Sequence, residues 1–150
     1  MIWEKLVGHD SQKESFQKRV ARGNLASTFL FVGLEGIGKR MFAEGLAEAL
    51  LCHNSNPKVL AACGKCPGCV QVQTGNHPDL LQVQRPAEKN VLPIELFVGD
   101  REHRSDEGLC RDIRMKPSRA GSRKIAIIDD ADYLNQEKWQ RTFENAGRAA

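Results

Sequence analysis

The sequence predicts an α/β domain, a parallel sheet flanked by helices, on three observations. An apolar run, TFLFV at Thr28–Val32, leads into a glycine-rich loop and then a helically spaced apolar pattern. A second apolar run, KIAIID at Lys124–Asp129, ends in carboxylates. Between the two lies a tight group of cysteines, from Cys52 to Cys69, set among glycine and proline. Strand, glycine loop and helix in that order form the first half of a βαβ unit. At 150 residues the chain has the size of one domain.

Each element has its own signal. Asp10 or Ser11 is placed to cap a first helix running to about Arg22, with Phe16 and Val20 on one face, and Gly23-Asn24 breaks it. Thr28–Val32, short, apolar and ended by glycine, reads as a buried parallel strand. From Lys39 to about Leu51, Phe42, Leu46, Ala49 and Leu50 share a helix face. Asp79–Val83 reads as a second strand. Arg85–Asp100, with Pro86 and Pro93 and little periodicity, reads as loop with at most a short helical turn. Ser105 is placed to cap a helix through Met115, with Leu109 and Ile113 inward and Pro117 as its stop. Gly121-Ser122 then leads into the strand Lys124–Asp129.

Bulk composition excludes more than it identifies. A net charge of +3 is too mild to imply a nucleic-acid-coating role. Locally, Arg111, Arg114, Lys116, Arg119, Arg123 and Lys124 are opposed only by Asp112; a solvated face, or a contact to phosphates or an acidic partner, both fit. No stretch approaches the ~20 apolar residues of a membrane span. The N-terminus, MIWEKLVGHD, has no signal-peptide core, so a cytoplasmic location is expected. In a reducing compartment the five cysteines read as metal ligands or free thiols, not disulfides.

Gly33, Gly38 and Lys39 satisfy G-x-x-x-x-G-K, and Gly36 adds a flexible point. Such a loop turns backbone N–H groups toward phosphate oxygens, and Lys39 reaches the terminal phosphates. The next position normally carries a Ser or Thr hydroxyl that ligates Mg²⁺. Here it is Arg40. Guanidinium adds positive charge for a phosphate but cannot ligate a cation, so ATP or ADP binding is compatible with this loop while magnesium-assisted hydrolysis is disfavoured. Asp129, at the C-terminal end of its strand, is placed to hold magnesium directly or through water. Asp130 falls where a water-polarising carboxylate would act. The plainer alternative is that Asp129, Asp130 and Asp132 begin a turn and cap the next helix.

Cys63, Cys66 and Cys69 form C-x₂-C-x₂-C, and Cys52 supplies a fourth thiolate for a closed, structural Zn²⁺ site. His53 is the weaker alternative, and iron–sulfur ligation or free thiols remain open readings. Cys110, beside Leu109, reads as core.

LVGHDSQ near the start, FLFVGLEGIGKRMFAEGLAEALLC, the four cysteines, GNHPDL at Gly75–Leu80 and IAIIDDADYLN at Ile125–Asn135 together resemble the bacterial clamp-loader subunits of the AAA+ class, P-loop NTPases with an inserted zinc module. Arg40 and the D-D-A-D run at Asp129–Asp132 are more similar to the delta prime family of DNA polymerase III subunits than to gamma/tau. The resemblance implies a partial AAA+ nucleotide-binding domain over residues 1–138, with the zinc module at 52–69. It implies a subunit that helps to load the sliding clamp onto primer–template DNA beside gamma/tau and delta subunits, with weak or no ATP hydrolysis. The 150 residues are expected to stop short of the family's Ser-Arg-Cys arginine and not to include its second helical domain or collar domain. A catalytically active ATPase of the gamma/tau type is the alternative, and a zinc-module DNA binder a more distant one.

In that family the region after Asn135 runs close to GANALLKTLEEPP, whereas this chain reads WQRTFENAGRAA from Trp139. Codons exist for Trp139–Ala150 that, read one base later, give GNALLKTLEEP. Residues 139–150 are therefore expected to be a frameshifted tail.

Overall fold

In a computed structural model of the chain, the described residues are 2–56, 59–103 and 106–134. The expected tail at 139–150 lies outside them, as does Ser105. The chain divides into two compact units, Met1–Leu80 with Pro117–Arg123 and Leu81–Lys116 with Lys124–Ala150.

The first unit is built on α2, Lys39–Leu51. Its expected inward face is buried at Phe42, Leu46 and Ala49, and a core of Leu46, Ala49 and Leu60 gathers Trp3, Phe16, Val20, Phe31, Leu50 and Ala62. α1, Asp10–Ala21, ends close to its expected boundary, but His9 occupies the N-cap position and makes no side-chain cap bond. Phe16 on α1 stacks against Phe42 at 5.5 Å. Two elements here were not expected from sequence. A 3₁₀ turn, Ile2–Lys5, lies on α2, and α3, Pro67–Gln73, rises out of the cysteine cluster with Pro67 at the start of the helix, where a missing N–H costs nothing.

Thr28–Val32 forms no ladder among the described residues, contrary to expectation. Phe29 and Phe31 turn in toward Phe16, while Leu30 and Val32 are 78% and 85% exposed. The in–out alternation of a strand is present. What the segment lacks, among those residues, is a neighbour to complete its backbone hydrogen bonds.

The second unit carries a two-stranded parallel sheet, β1 (Leu80–Val83) beside β2 (Ile125–Ile128). Both strands fall where the sequence places them. Leu92, Phe97 and Leu109 form its core, against Leu81, Val83, Val98, Cys110, Ala126 and Leu134. The short turn expected within Arg85–Asp100 is α4, Glu95–Val98. The helix expected from Ser105 to Met115 shrinks to α5, Leu109–Asp112. Gly108 is the reason: its φ of 95° and ψ of 169° are not helical, and a Cβ there would lie 2.7 Å from the Phe97 carbonyl.

Candidate functional site

The glycine loop sits at the N-terminus of α2, with Gly33 through Ile37 exposed. Gly36 (φ 76°) and Gly38 (φ 98°) adopt backbone conformations that favour glycine, so two of the loop's three glycines answer a backbone requirement. Lys39 is turned back on its own loop: Nζ donates to the carbonyls of Gly33 and Leu34, both at 2.9 Å. These are carbonyls an ammonium would leave to meet an anion. Arg40 pairs through Nε with Glu44 Oε1 at 3.0 Å, one turn further along the exposed side of α2. The residue standing at the hydroxyl position is thus engaged with its own helix. Behind the loop, His9 donates from Nε2 to the Ile37 carbonyl at 2.8 Å, a contact with no signal in the motif itself.

Asp129 and Asp130 belong to the second unit. Asp129 follows β2, and its backbone N–H extends the sheet to the Val83 carbonyl at 2.8 Å. Its Oδ1 accepts from the Asp130 N–H at 3.1 Å. Asp130 has φ 55°, the left-handed region that non-glycine residues enter at a cost. It precedes a 3₁₀ turn, Ala131–Tyr133, but makes no side-chain cap bond, so the capping alternative is met in position only. Its Oδ2 lies 3.8 Å from Arg85 Nε. Arg85 is in turn fixed over the Tyr133 ring at 4.4 Å and by a 2.7 Å bond from Nη1 to the Lys89 carbonyl. The carboxylate that would polarise water is therefore held beside a guanidinium.

The four cysteines converge at the other end of α2. Their sulfurs all lie within 4.8 Å of one another, with Cys52–Cys66 at 3.9 Å and Cys63–Cys69 at 4.0 Å. Four thiolates about 2.3 Å from a tetrahedral zinc stand ~3.8 Å apart, so the donor set and its spacing fit Zn²⁺. Backbone N–H groups point at the sulfurs: Cys63 to Cys52, His53 to Cys66 and Cys66 to Cys63, each at 3.4 Å, and Cys69 to Cys66 at 3.5 Å. Amides of Lys65 and Cys66 lower the Cys63 thiol to about 6. Burial pushes the thiols of Cys52 and Cys69 up. At Cys66 burial opposes ionisation, yet the amides of Cys69 and His53 bring its pKa below the usual value. One cluster thus mixes a ready thiolate with thiols that need a cation to ionise. Cys110 is elsewhere, half-buried in the second core with burial raising its thiol, as its expected core role requires.

A glycine loop opening a helix, an acidic pair after a parallel strand and a four-cysteine cluster mark an α/β protein of the clamp-loader class. The chain belongs to the family described as DNA polymerase III, delta subunit, whose model matches residues 8–139. It is 31% identical over 114 residues to the delta prime subunit of DNA polymerase III from Pseudomonas aeruginosa, covering 76% of this chain and 31% of the relative. The delta prime subunit of Escherichia coli is 27% identical over 134 residues, 89% of this chain and 36% of that protein. A gamma/tau subunit from Mycoplasma pneumoniae is 26% identical over 143 residues, 93% of this chain and 19% of the relative. The chain thus spans about a third of the length of these delta prime relatives.

Proposed function

We propose that the chain works as a delta prime-like subunit of the DNA polymerase III clamp loader, helping to place the sliding clamp on primed DNA while hydrolysing little or no ATP itself. The family match across residues 8–139 carries this reading, because it spans the glycine loop, the cysteines and the acidic strand together. Gamma/tau and delta subunits are its partners, with the sliding clamp and primer–template DNA reached through them, in the cytoplasm. No described helix is long and apolar enough to cross a membrane.

Gly33, Gly36, Gly38, Lys39 and Arg40 bind the phosphates of ATP or ADP, and Asp129 is assigned to any accompanying cation on its sequence motif alone. Two observations support weak hydrolysis: the Arg40–Glu44 pair at the hydroxyl position, and the placement of Asp130 beside Arg85. Cys52, Cys63, Cys66 and Cys69 hold a structural Zn²⁺, which ties the end of α2 to α3. Residues 139–150 are a frameshifted reading, and the nucleotide sequence decides that point: codons that forbid the shifted frame sink it.

A gamma/tau-like motor is the second reading, favoured by gamma/tau relatives that align over 93% of the chain. Nucleotide titration with and without Mg²⁺ separates the two. The expected result is ADP binding that Lys39→Ala abolishes, with negligible Mg²⁺-dependent turnover. Steady hydrolysis that disappears in Lys39→Ala establishes the motor instead.

A further inference from the structure

α2 has the phosphate loop at one end and a cysteine ligand at the other, and a second path runs alongside it. Glu48, 1% exposed, lies on α2 between the two. Its Oε1 accepts from Gln73 Nε2 at 2.7 Å, and its Oε2 from the Ile2 N–H at 2.8 Å. Gln73 closes α3, the helix that Cys66 caps, and the same Nε2 donates to the Gly64 carbonyl within the cysteine loop at 3.3 Å. Ile2 opens the 3₁₀ strap. Trp3 fits the slot left by Gly45, where a Cβ would stand 1.8 Å from the indole, and Trp3 Nε1 donates to the Phe42 carbonyl at 3.3 Å. Lys13 Nζ holds the strap's far side at the Trp3 and Leu6 carbonyls, both at 3.2 Å. The segment then reaches the loop twice, with Leu6 against Gly38 and His9 on the Ile37 carbonyl.

We propose that Glu48 and Gln73 transmit metal occupancy of the cysteine cluster to the phosphate loop, so that a loaded cluster and an ordered loop favour one another. The inference rests on the zinc reading above. Four thiolates drawn together by Zn²⁺ fix Gly64 and the start of α3, and hence the Gln73 amide. Without the ion the buried thiols of Cys52 and Cys69 stay protonated, nothing bonds the four sulfurs to a common centre, and Gly64 and the start of α3 lose that constraint. Glu48 then loses a donor inside the fold, and a buried acceptor left unsatisfied is costly. The strap, docked in one state and released in the other, is the element whose equilibrium both ends bias. Coupling of this kind is reciprocal: whatever factor zinc adds to nucleotide affinity, nucleotide adds to zinc affinity.

The test uses the full chain, zinc-loaded and chelator-stripped, with amide hydrogen exchange at residues 33–39 and ADP affinity as readouts. Gln73 is exposed, so Gln73→Ala cuts the link without opening the core. In the wild type, stripping zinc should speed loop exchange and weaken ADP binding by about fivefold or more. In Gln73→Ala, with zinc content confirmed, the loop should exchange fast whether or not zinc is present. Identical loop exchange with and without zinc in the wild type, or a zinc effect undiminished in Gln73→Ala, overturns the coupling. Where stripping unfolds the chain, the zinc-loaded pair decides: the variant's loop must exchange faster than the wild type's while residues 46–51 keep their protection, and equal loop rates overturn the proposal. Zinc-dependent loop protection without ADP binding supports the coupling and defeats the nucleotide reading. A chain that takes up no zinc overturns the coupling and the metal reading together.

Discussion

The two ends of α2 are finished to different degrees. At the C-terminal end Cys52, Cys66 and Cys69 are buried, four sulfurs converge, and backbone amides already point at them. At the N-terminal end Gly33 through Ile37 are exposed, Lys39 bonds the loop's own carbonyls, and Arg40 pairs along the helix. The cluster draws all its ligands from residues 52–69, so local chain geometry suffices to build it. A phosphate site needs charge complementarity to a ligand, and here the loop meets that need internally, with its lysine on its own oxygens. The difference teaches that the cysteine end is arranged by its own short segment, while the glycine end is met from outside by Leu6 and His9.

The largest expected effect comes from breaking the finished end. Cys69→Ser removes a buried sulfur and should abolish zinc retention after dialysis, measured by metal content. Structural zinc contributes ~10–16 kcal/mol of apparent binding energy in small peptides, so the thermal midpoint should fall by about 10 °C or more. A variant that keeps both zinc and midpoint would show that the two ends are alike in being unfinished.

The open end is sharpened by its glycines. A Cβ at Gly38 would lie 2.8 Å from Leu6 Cδ1, whereas one at Gly36 meets nothing within 4 Å, and both residues have positive φ. Each alanine costs about 1–2 kcal/mol for the left-handed backbone alone. Gly38→Ala should therefore destabilise more than Gly36→Ala by chemical denaturation, the excess being the displaced Leu6. Equal losses would mean that residues 6–9 do not hold the loop.

Both ends of α2 were legible in the sequence because each is a spacing rule: G-x-x-x-x-G-K for backbone amides and C-x₂-C-x₂-C for converging sulfurs. Both strands of the sheet and α1 were legible too, from apolar runs and periodicity. The pieces that connect the ends were not. Glu48 reads as one more polar residue on a helix, and its burial depends on Ile2 and Gln73, far off in sequence. The strap left a faint signal, an early Trp3 and a mid-helix Gly45 that otherwise costs about 1 kcal/mol against alanine, intelligible only once the two are in contact. The shortened α5 has a local reason: Gly108, inside the span expected to be helical, has a non-helical backbone and stands at the N-cap instead.

The smallest effect concerns how the first unit is secured beside the cysteine end. Buried Asp79 accepts from the Ser118 N–H and hydroxyl, the latter at 2.6 Å, and so pins the 117–123 segment. His77, also buried, accepts the Asp79 N–H at Nδ1, 3.0 Å away, which requires a neutral ring. Burial lowers the His77 pKa below its ordinary 6.5, against the pull of Asp79. A depressed folded pKa gives stability that is present in full above pH 6.5 and is lost as pH falls through the folded value. Denaturation midpoints measured from pH 7.5 downward should therefore decline on the acid side, and His77→Gln, which keeps an acceptor but cannot ionise, should flatten that decline. Zinc release also grows with acid, because protons compete for thiolates. The comparison is made on chelator-stripped chain where it remains folded, or else at saturating zinc. An acid slope unchanged in His77→Gln assigns the pH dependence to the cysteines alone, and the finished end would then set the acid limit of the whole first unit.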